Sequence, residues 1–77
     1  MIRELDDVIL DSDLPASGLT RGDVGTVVLV HLGGEGYEVE FTALDGETVA
    51  VVTLSGSQLR PVGGGEIAHA RELMRAA

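Results

Sequence analysis

The chain has 77 residues, enough for one small domain, and 44% of them are hydrophobic, with one Tyr, one Phe and no Trp. Thirteen Asp and Glu against five Arg and no Lys give a net charge of −8, which repels nucleic acids and anionic membranes and favours basic partners. The lack of cysteine excludes disulfides and thiolate metal sites. Without a signal segment or a long apolar run, we expect a cytoplasmic protein.

A first strand and a long loop open the chain. Residues 4–10 predict a strand, because their apolar side chains are spaced mostly by twos. Residues 11–23 are rich in Asp, Ser, Gly and Pro and predict a loop of unusual length. Leu14 and Leu19 are the apolar residues that we expect to fold this loop back onto the body of the domain.

A second strand of β-branched residues follows, introduced by Gly-Asp-Val-Gly. Alternation predicts two opposite faces. The first face carries Val24, Thr26, Val28, Val30 and Leu32, and the second carries Val27, Leu29 and His31. In the corner before the strand, Gly22 is expected to permit a sharp turn and Gly25 the close approach of another strand. Arg21 and Asp23 are expected to pair across this turn.

The third strand has the clearest alternation in the chain. Residues 33–36, Gly-Gly-Glu-Gly, predict a turn, and residues 37–41, Tyr-Glu-Val-Glu-Phe, predict a strand. The two aromatic residues and the central valine are expected to point into the core. Glu38 and Glu40 are expected to point outward on one solvated face.

The remaining strands are short and separated by tight turns. Asp45-Gly46 is a strong hairpin signal and places a structural turn at Gly46. Residues 48–54 predict a fourth strand, and residues 55–58 predict a turn with one turn of 3₁₀ helix. Residues 59–62 predict a brief last strand, which Pro61 assigns to an edge of the sheet.

The C-terminal segment predicts an amphipathic helix after a hinge of three glycines. Glu66 near its start and two arginines near its end suit the helix dipole. The apolar stripe comprises Ile67, Ala70, Leu73, Met74 and Ala77. A helix of this length is marginal alone, so it needs a surface to lie on. This surface is either the barrel of the same chain or another chain, and the sequence leaves both alternatives open. It also leaves the oligomeric state open.

These elements predict an all-β fold, a small five-stranded SH3-like barrel with a short C-terminal α-helix. A barrel suits so short a chain because it hides strand edges. The predicted organisation is a barrel over residues 1–62 and a glycine hinge with the helix over residues 63–77.

Four segments carry a resemblance to a known family: ELDDVIL, DLPASGLTRGDVGTVV, GYEVEFTALDGETVAVVTL and LRPV. They resemble a family of small bacterial domains of unknown function, over roughly residues 2–62. The resemblance implies an SH3-like fold and no assigned activity. Some members are encoded beside other small proteins in an arrangement suggestive of toxin–antitoxin pairs. The glycine-rich tail lies outside the resemblance.

Catalytic and cofactor sites are not predicted. A phosphate-binding loop needs a lysine that this chain lacks, and its glycines lead into a strand rather than a helix. The two histidines are far apart, which does not suggest zinc, and alternating glutamates are typical of a solvated face. The serines lie in turns without a nucleophile elbow. We therefore expect no enzyme activity, no cofactor and no metal.

The sequence therefore favours a non-catalytic protein-interaction module, in its sharper form an antitoxin or immunity-like protein that binds a basic partner. The corner also resembles the KOW motif, so a nucleic-acid-binding module is an alternative, although RNA binding favours basic grooves and stacking aromatics. An accessory subunit of a larger enzyme is another. The candidate partner-binding residues are Ile67, Leu73 and Met74 in the tail, Glu38 and Glu40 on the sheet, and Leu14 in the long loop.

Overall fold

The computed structural model describes residues 1–73, which form five strands and two short 3₁₀ turns. The strands are β1 (Asp7–Leu10), β2 (Val24–His31), β3 (Gly36–Thr42), β4 (Thr48–Leu54) and β5 (Leu59–Pro61), and the 3₁₀ turns are Pro15–Ser17 and Gly56–Gln58. All strand pairs are antiparallel, in the order β4-β3-β2-β1-β5. The fold is therefore all-β.

The predicted closed barrel is wrong, because the five strands form an open sheet. β4 pairs with β3 and β5 pairs with β1, and these two edge strands do not pair with each other within residues 1–73. The 3₁₀ turn Gly56–Gln58 carries the chain away from β4 to β1. β5 has three residues, too few to form a second ladder of any length. Strand spacing along a sequence indicates which residues are extended, but not which edges meet.

The predicted C-terminal helix is also wrong over the described part of the tail, since residues 63–73 contain no helix. The Glu66 carboxylate accepts the backbone N–H of Gly63 at 2.6 Å and both terminal nitrogens of Arg60 at 2.7 Å. Arg71 is bound to Asp23. These contacts tie the tail to the strands, and three glycines with about a dozen further residues nucleate a helix poorly.

The core lies on one side of the sheet and confirms the predicted alternation in β3. Tyr37, Val39 and Phe41 are buried, and the glutamates between them are not. Leu19 is buried and Leu14 is half-buried against this core, with backbone hydrogen bonds joining them in both directions. The expectation that these two leucines fold the long loop onto the domain is confirmed.

A β-bulge at Val28 changes the predicted faces of β2. Val27 is paired with Val39, but the next pairs are Leu29 with Glu38 and Val30 with Tyr37, so Val28 is an extra residue. Val27 and Val30 therefore both face the core, and Leu29 lies on the outer face. The strict alternation predicted for this strand is wrong beyond Val27, because an inserted residue shifts the period by one.

Gly22 and Gly46, which the sequence predicts as turn residues, both have positive φ. Gly22, at φ +97°, donates its N–H to the Leu10 carbonyl at 2.8 Å, and Gly46, at φ +95°, donates to the Ala43 carbonyl at 2.9 Å. These backbone conformations are strained for any residue with a Cβ.

Gly25 serves a different purpose, since it lies where β3 packs directly against β2. A Cβ on Gly25 would lie 2.6 Å from Val39 Cγ1, 2.9 Å from Phe41 Cε1 and 3.0 Å from the Glu40 carbonyl oxygen. The first two are closer than real Cβ atoms come to their neighbours, and the third is tight, so the two strands fit only because this position has no side chain.

Gly25→Ala is therefore expected to lower the free energy of unfolding by about 1–3 kcal/mol, the usual cost of overpacking a core. Urea denaturation followed by circular dichroism measures it. Gly64→Ala is the matched control, because no atom lies within 4 Å of its new Cβ. Equal stability of the two variants would contradict the packing role of Gly25.

Candidate functional site

The outer face of β2, β3 and β4 carries two cross-strand rows of side chains. The register places Leu29, Glu38 and Thr53 in one row and Thr26, Glu40 and Val51 in the next. We call these six residues the acidic face. Successive residues of a strand point to opposite sides, so burial of the aromatics of β3 in the core places both glutamates outward. The structure thus brings together the two predicted residues Glu38 and Glu40.

Glu38 is held in place by two neighbours. Thr53 Oγ1 donates a hydrogen bond to Glu38 Oε2 at 2.6 Å, and His31 Nε2 lies 2.6 Å from the same oxygen. The Thr53 hydrogen bond, followed by the one to His31, lowers the pKa of Glu38 below its ordinary 4.5. The carboxylate therefore stays charged at neutral pH and has a fixed position.

Threonine hydroxyls hold two further carboxylates on the same side of the sheet. Thr48 Oγ1 donates to Glu40 Oε2 at 2.7 Å, and Thr26 Oγ1 donates to Asp7 Oδ1 at 3.2 Å. Each hydroxyl satisfies one oxygen and leaves other lone pairs of the carboxylate available to a second donor. The arrangement presents several oriented acceptors at a surface.

Exposed aliphatic side chains lie beside these carboxylates. Val28 is 41% exposed, Leu29 44% and Val51 54%, which leaves much apolar surface in water. The outer face therefore combines exposed apolar surface with fixed negative charge.

The other predicted binding residues lie elsewhere. Ile67 is 93% exposed on the tail, and Leu73 is half-buried beside Val49 and Gly18. Leu14 packs against the core, and Met74 lies outside the described residues. Among the described residues, the structure gathers only the two glutamates into one surface.

Sequence reasoning missed the ion pairs that tie the tail to the domain. Arg71 donates to both oxygens of Asp23, at 2.9 and 2.5 Å, and to the Gly18 carbonyl at 3.2 Å. The predicted pairing of Arg21 with Asp23 is wrong, because Arg21 lies 3.4 Å from Asp11 instead. Residues separated by 48 positions give no local signal for such a pair.

These ion pairs also alter acidity. The hydrogen bonds from Arg60, followed by that from the Gly63 N–H, lower the pKa of Glu66 from 4.5 to about 2. Partial burial alone would raise the pKa of Asp23. The hydrogen bonds from Arg71 and Thr20, together with the charge of Arg71, outweigh this effect and hold the pKa below its ordinary 3.8. Arg60 is therefore paired with a carboxylate of the tail, and Arg71 of the tail is paired with a carboxylate just before β2.

The part of the chain that the structure describes contains no cluster of candidate metal ligands. No group of three or more His, Cys, Asp or Glu side chains there is arranged to hold a metal ion. Among residues 1–73 there is also no helix that could span a membrane.

The fold and its outer face define a small all-β protein with an open five-stranded antiparallel sheet. The model of the family described as Domain of unknown function (DUF4926) matches residues 4–61, and the chain belongs to this family. The resemblance found in the sequence is thereby confirmed. No curated protein and no solved structure matches the chain.

Thr53→Val is expected to raise the pKa of Glu38 towards 4.5, because it removes the hydrogen bond that contributes most to the lowered value. Titration of the ¹³C carboxyl resonance of Glu38 measures this pKa. Thr26→Val is the matched control, since that hydroxyl serves Asp7. A Glu38 pKa that is the same in both variants would contradict the assigned role of Thr53.

Proposed function

We propose that the chain is a non-catalytic protein-interaction module that binds a basic protein partner through its acidic face, in an antitoxin or immunity-like role. The observation that carries the proposal is the fixed pair of carboxylates, Glu38 and Glu40, beside exposed aliphatic side chains. The net charge of −8 adds a long-range field of the same sign.

The distribution of positive charge supports this surface. The arginines of residues 1–73 lie outside the two rows of the acidic face, and three of them are close to carboxylates elsewhere: Arg21, Arg60 and Arg71. Glu38 of the face lies within ion-pair distance of His31, a group that is positive only when protonated. The negative potential of the face is therefore left for a partner to neutralise.

The same charges favour a protein over a nucleic acid. A phosphate backbone would meet carboxylates at this face, and the two aromatic residues, Tyr37 and Phe41, are buried and cannot stack on bases. A basic protein surface instead offers charge complementarity together with apolar area to cover the exposed aliphatics. The first speeds association and the second contributes affinity.

The acidity of Glu38 argues for binding rather than proton transfer. A general acid or base is most effective when its pKa lies near the working pH. The pKa of Glu38 moves the other way, below 4.5, because its neighbours stabilise the carboxylate. Such a group is suited to receive a cation or a hydrogen-bond donor.

Glu38→Gln with Glu40→Gln is expected to weaken partner binding by about 2- to 30-fold, because an exposed ion pair contributes about 0.2–1 kcal/mol. The immobilised full-length chain captures proteins from a lysate of the cells that encode it, and mass spectrometry identifies them. Affinity is then measured with the purified partner. The matched control, Glu4→Gln with Glu72→Gln, has the same net charge but leaves the acidic face intact, and it should retain most of the affinity.

The proposal predicts a basic partner whose capture falls as salt rises from about 0.05 to about 0.5 M. Binding indifferent to salt and to both glutamates would contradict it. So would a partner lost on replacing Ile67 and Leu73 by Ser but retained by the glutamate variant, since the tail would then be the binding surface. Capture of RNA or DNA alone would favour the nucleic-acid alternative.

A further inference from the structure

β4 has a free edge next to the acidic face. Within residues 1–73, β4 pairs only with β3, so the backbone groups on its other side have no strand partner. Unpaired edges of this kind accept extended segments of other chains. Protein domains usually protect such edges with charges, prolines, bulges or short strands.

Most of those protections are missing here. β4 has seven residues, Thr-Val-Ala-Val-Val-Thr-Leu, without a charge or a proline, and five of them are β-branched. The register shift opposite Phe41 and Thr42 is confined to the start of the strand. From Ala50 to Leu54 the pairing with β3 is regular, which leaves an edge of five residues for a further strand.

The two sides of the sheet at this edge would favour different side chains in an added strand. On the core side, Ala50 and Val52 are only half-buried and pack against the core, so apolar residues of an added strand would complete their cover. On the outer side, Val51 and Thr53 are exposed. An added strand would lie about 4.8 Å from β4, with its side chains alternating between these two environments.

The outer positions of an added strand are within reach of Glu38 and Glu40. These glutamates lie on β3, opposite Thr53 and Val51, so they are two strand spacings, or about 10 Å, from the added backbone. An Arg or Lys side chain extending over β4 and a Glu side chain extending from β3 span this distance together. Basic residues at alternate positions would therefore complement the acidic face.

A second copy of this chain fits the edge poorly. β4 contains no cation, so a copy would bring no positive charge to Glu38 and Glu40. Pairing of two β4 strands would join two acidic faces in one sheet without bringing a cation to either of them. Charge complementarity therefore selects a foreign, basic segment.

We propose that β4 accepts an extended segment of the basic partner as a sixth strand, and that this segment alternates apolar and basic residues. The inference rests on the proposed function and specifies how the partner binds. Main-chain hydrogen bonds to β4 would supply register, and Glu38 with Glu40 would select the charge of the segment.

The test uses the full-length chain and a synthetic seven-residue peptide that alternates Val and Arg, matched to the length of β4. Two further peptides carry N-methyl groups, one on every Val and the other on every Arg. In a strand, alternate N–H groups point to opposite edges, so only one of these two sets would face β4. Binding is measured by isothermal titration calorimetry.

We expect the unmodified peptide and one methylated peptide to bind alike, and the other methylated peptide to bind at least about tenfold more weakly, because it loses several hydrogen bonds. Equal affinities for the two methylated peptides, or no binding of the unmodified one, would overturn the sixth-strand proposal. A control peptide with Glu in place of Arg should not bind. Equal binding of that control would overturn the charge selection.

These outcomes separate the two proposals. If both methylated peptides bind equally, yet Glu38→Gln with Glu40→Gln weakens the binding, the acidic face binds cations without strand addition. The proposed function then stands and the sixth strand falls. If the native partner ignores both glutamates, the proposed function itself fails, whatever the peptides do.

Discussion

β2 is the central strand of the sheet. It joins the pair β3 and β4 on one side to the pair β1 and β5 on the other. Its first residues, Val24 to Thr26, pair with β1, and its residues from Thr26 onward pair with β3. At Gly25, in the first of these stretches, side chains of β3 occupy the space that a Cβ would need. β3 can pack against β2 at this point only because Gly25 has no side chain.

The open sheet has a consequence for charge as well as for hydrogen bonding. The tail brings Glu66 to Arg60 and Arg71 to Asp23, so the described ion pairs gather near β5 and the corner before β2. At the other side of the sheet, among the described residues, Glu38 of the acidic face lies beside His31 rather than an arginine. The carboxylates of the acidic face and the unpaired edge of β4 therefore occur on the same half of the described molecule.

Much of the local structure was predictable from the sequence. The alternation of residues 37–41, the 3₁₀ turn near residue 57 and the edge position of β5 follow from local patterns, and the structure confirms them. The outward direction of Glu38 and Glu40 is part of the same pattern. Such features depend on neighbouring residues, which the sequence shows directly.

The features that sequence reasoning missed depend on contacts between distant parts of the chain. The bulge at Val28 appears only when β2 is paired with β3, and one extra residue inverts the faces beyond it. Over the described part of the tail, the helical pattern competes with ion pairs of Glu66 with Arg60 and of Arg71 with Asp23, the second across 48 positions. The Thr53 and His31 contacts that fix Glu38 require the register of three strands, which no local pattern reveals.

Hydrogen exchange tests most directly whether the outer edge of β4 is free. Exchange of individual backbone amides is followed by NMR in the free full-length chain, at several protein concentrations. With a free edge, alternate amides of β4 are expected to exchange much faster than those between them, whereas β3, paired on both sides, is protected throughout. Uniform protection of β4 equal to that of β3 would show that its edge is already covered, and would contradict the account.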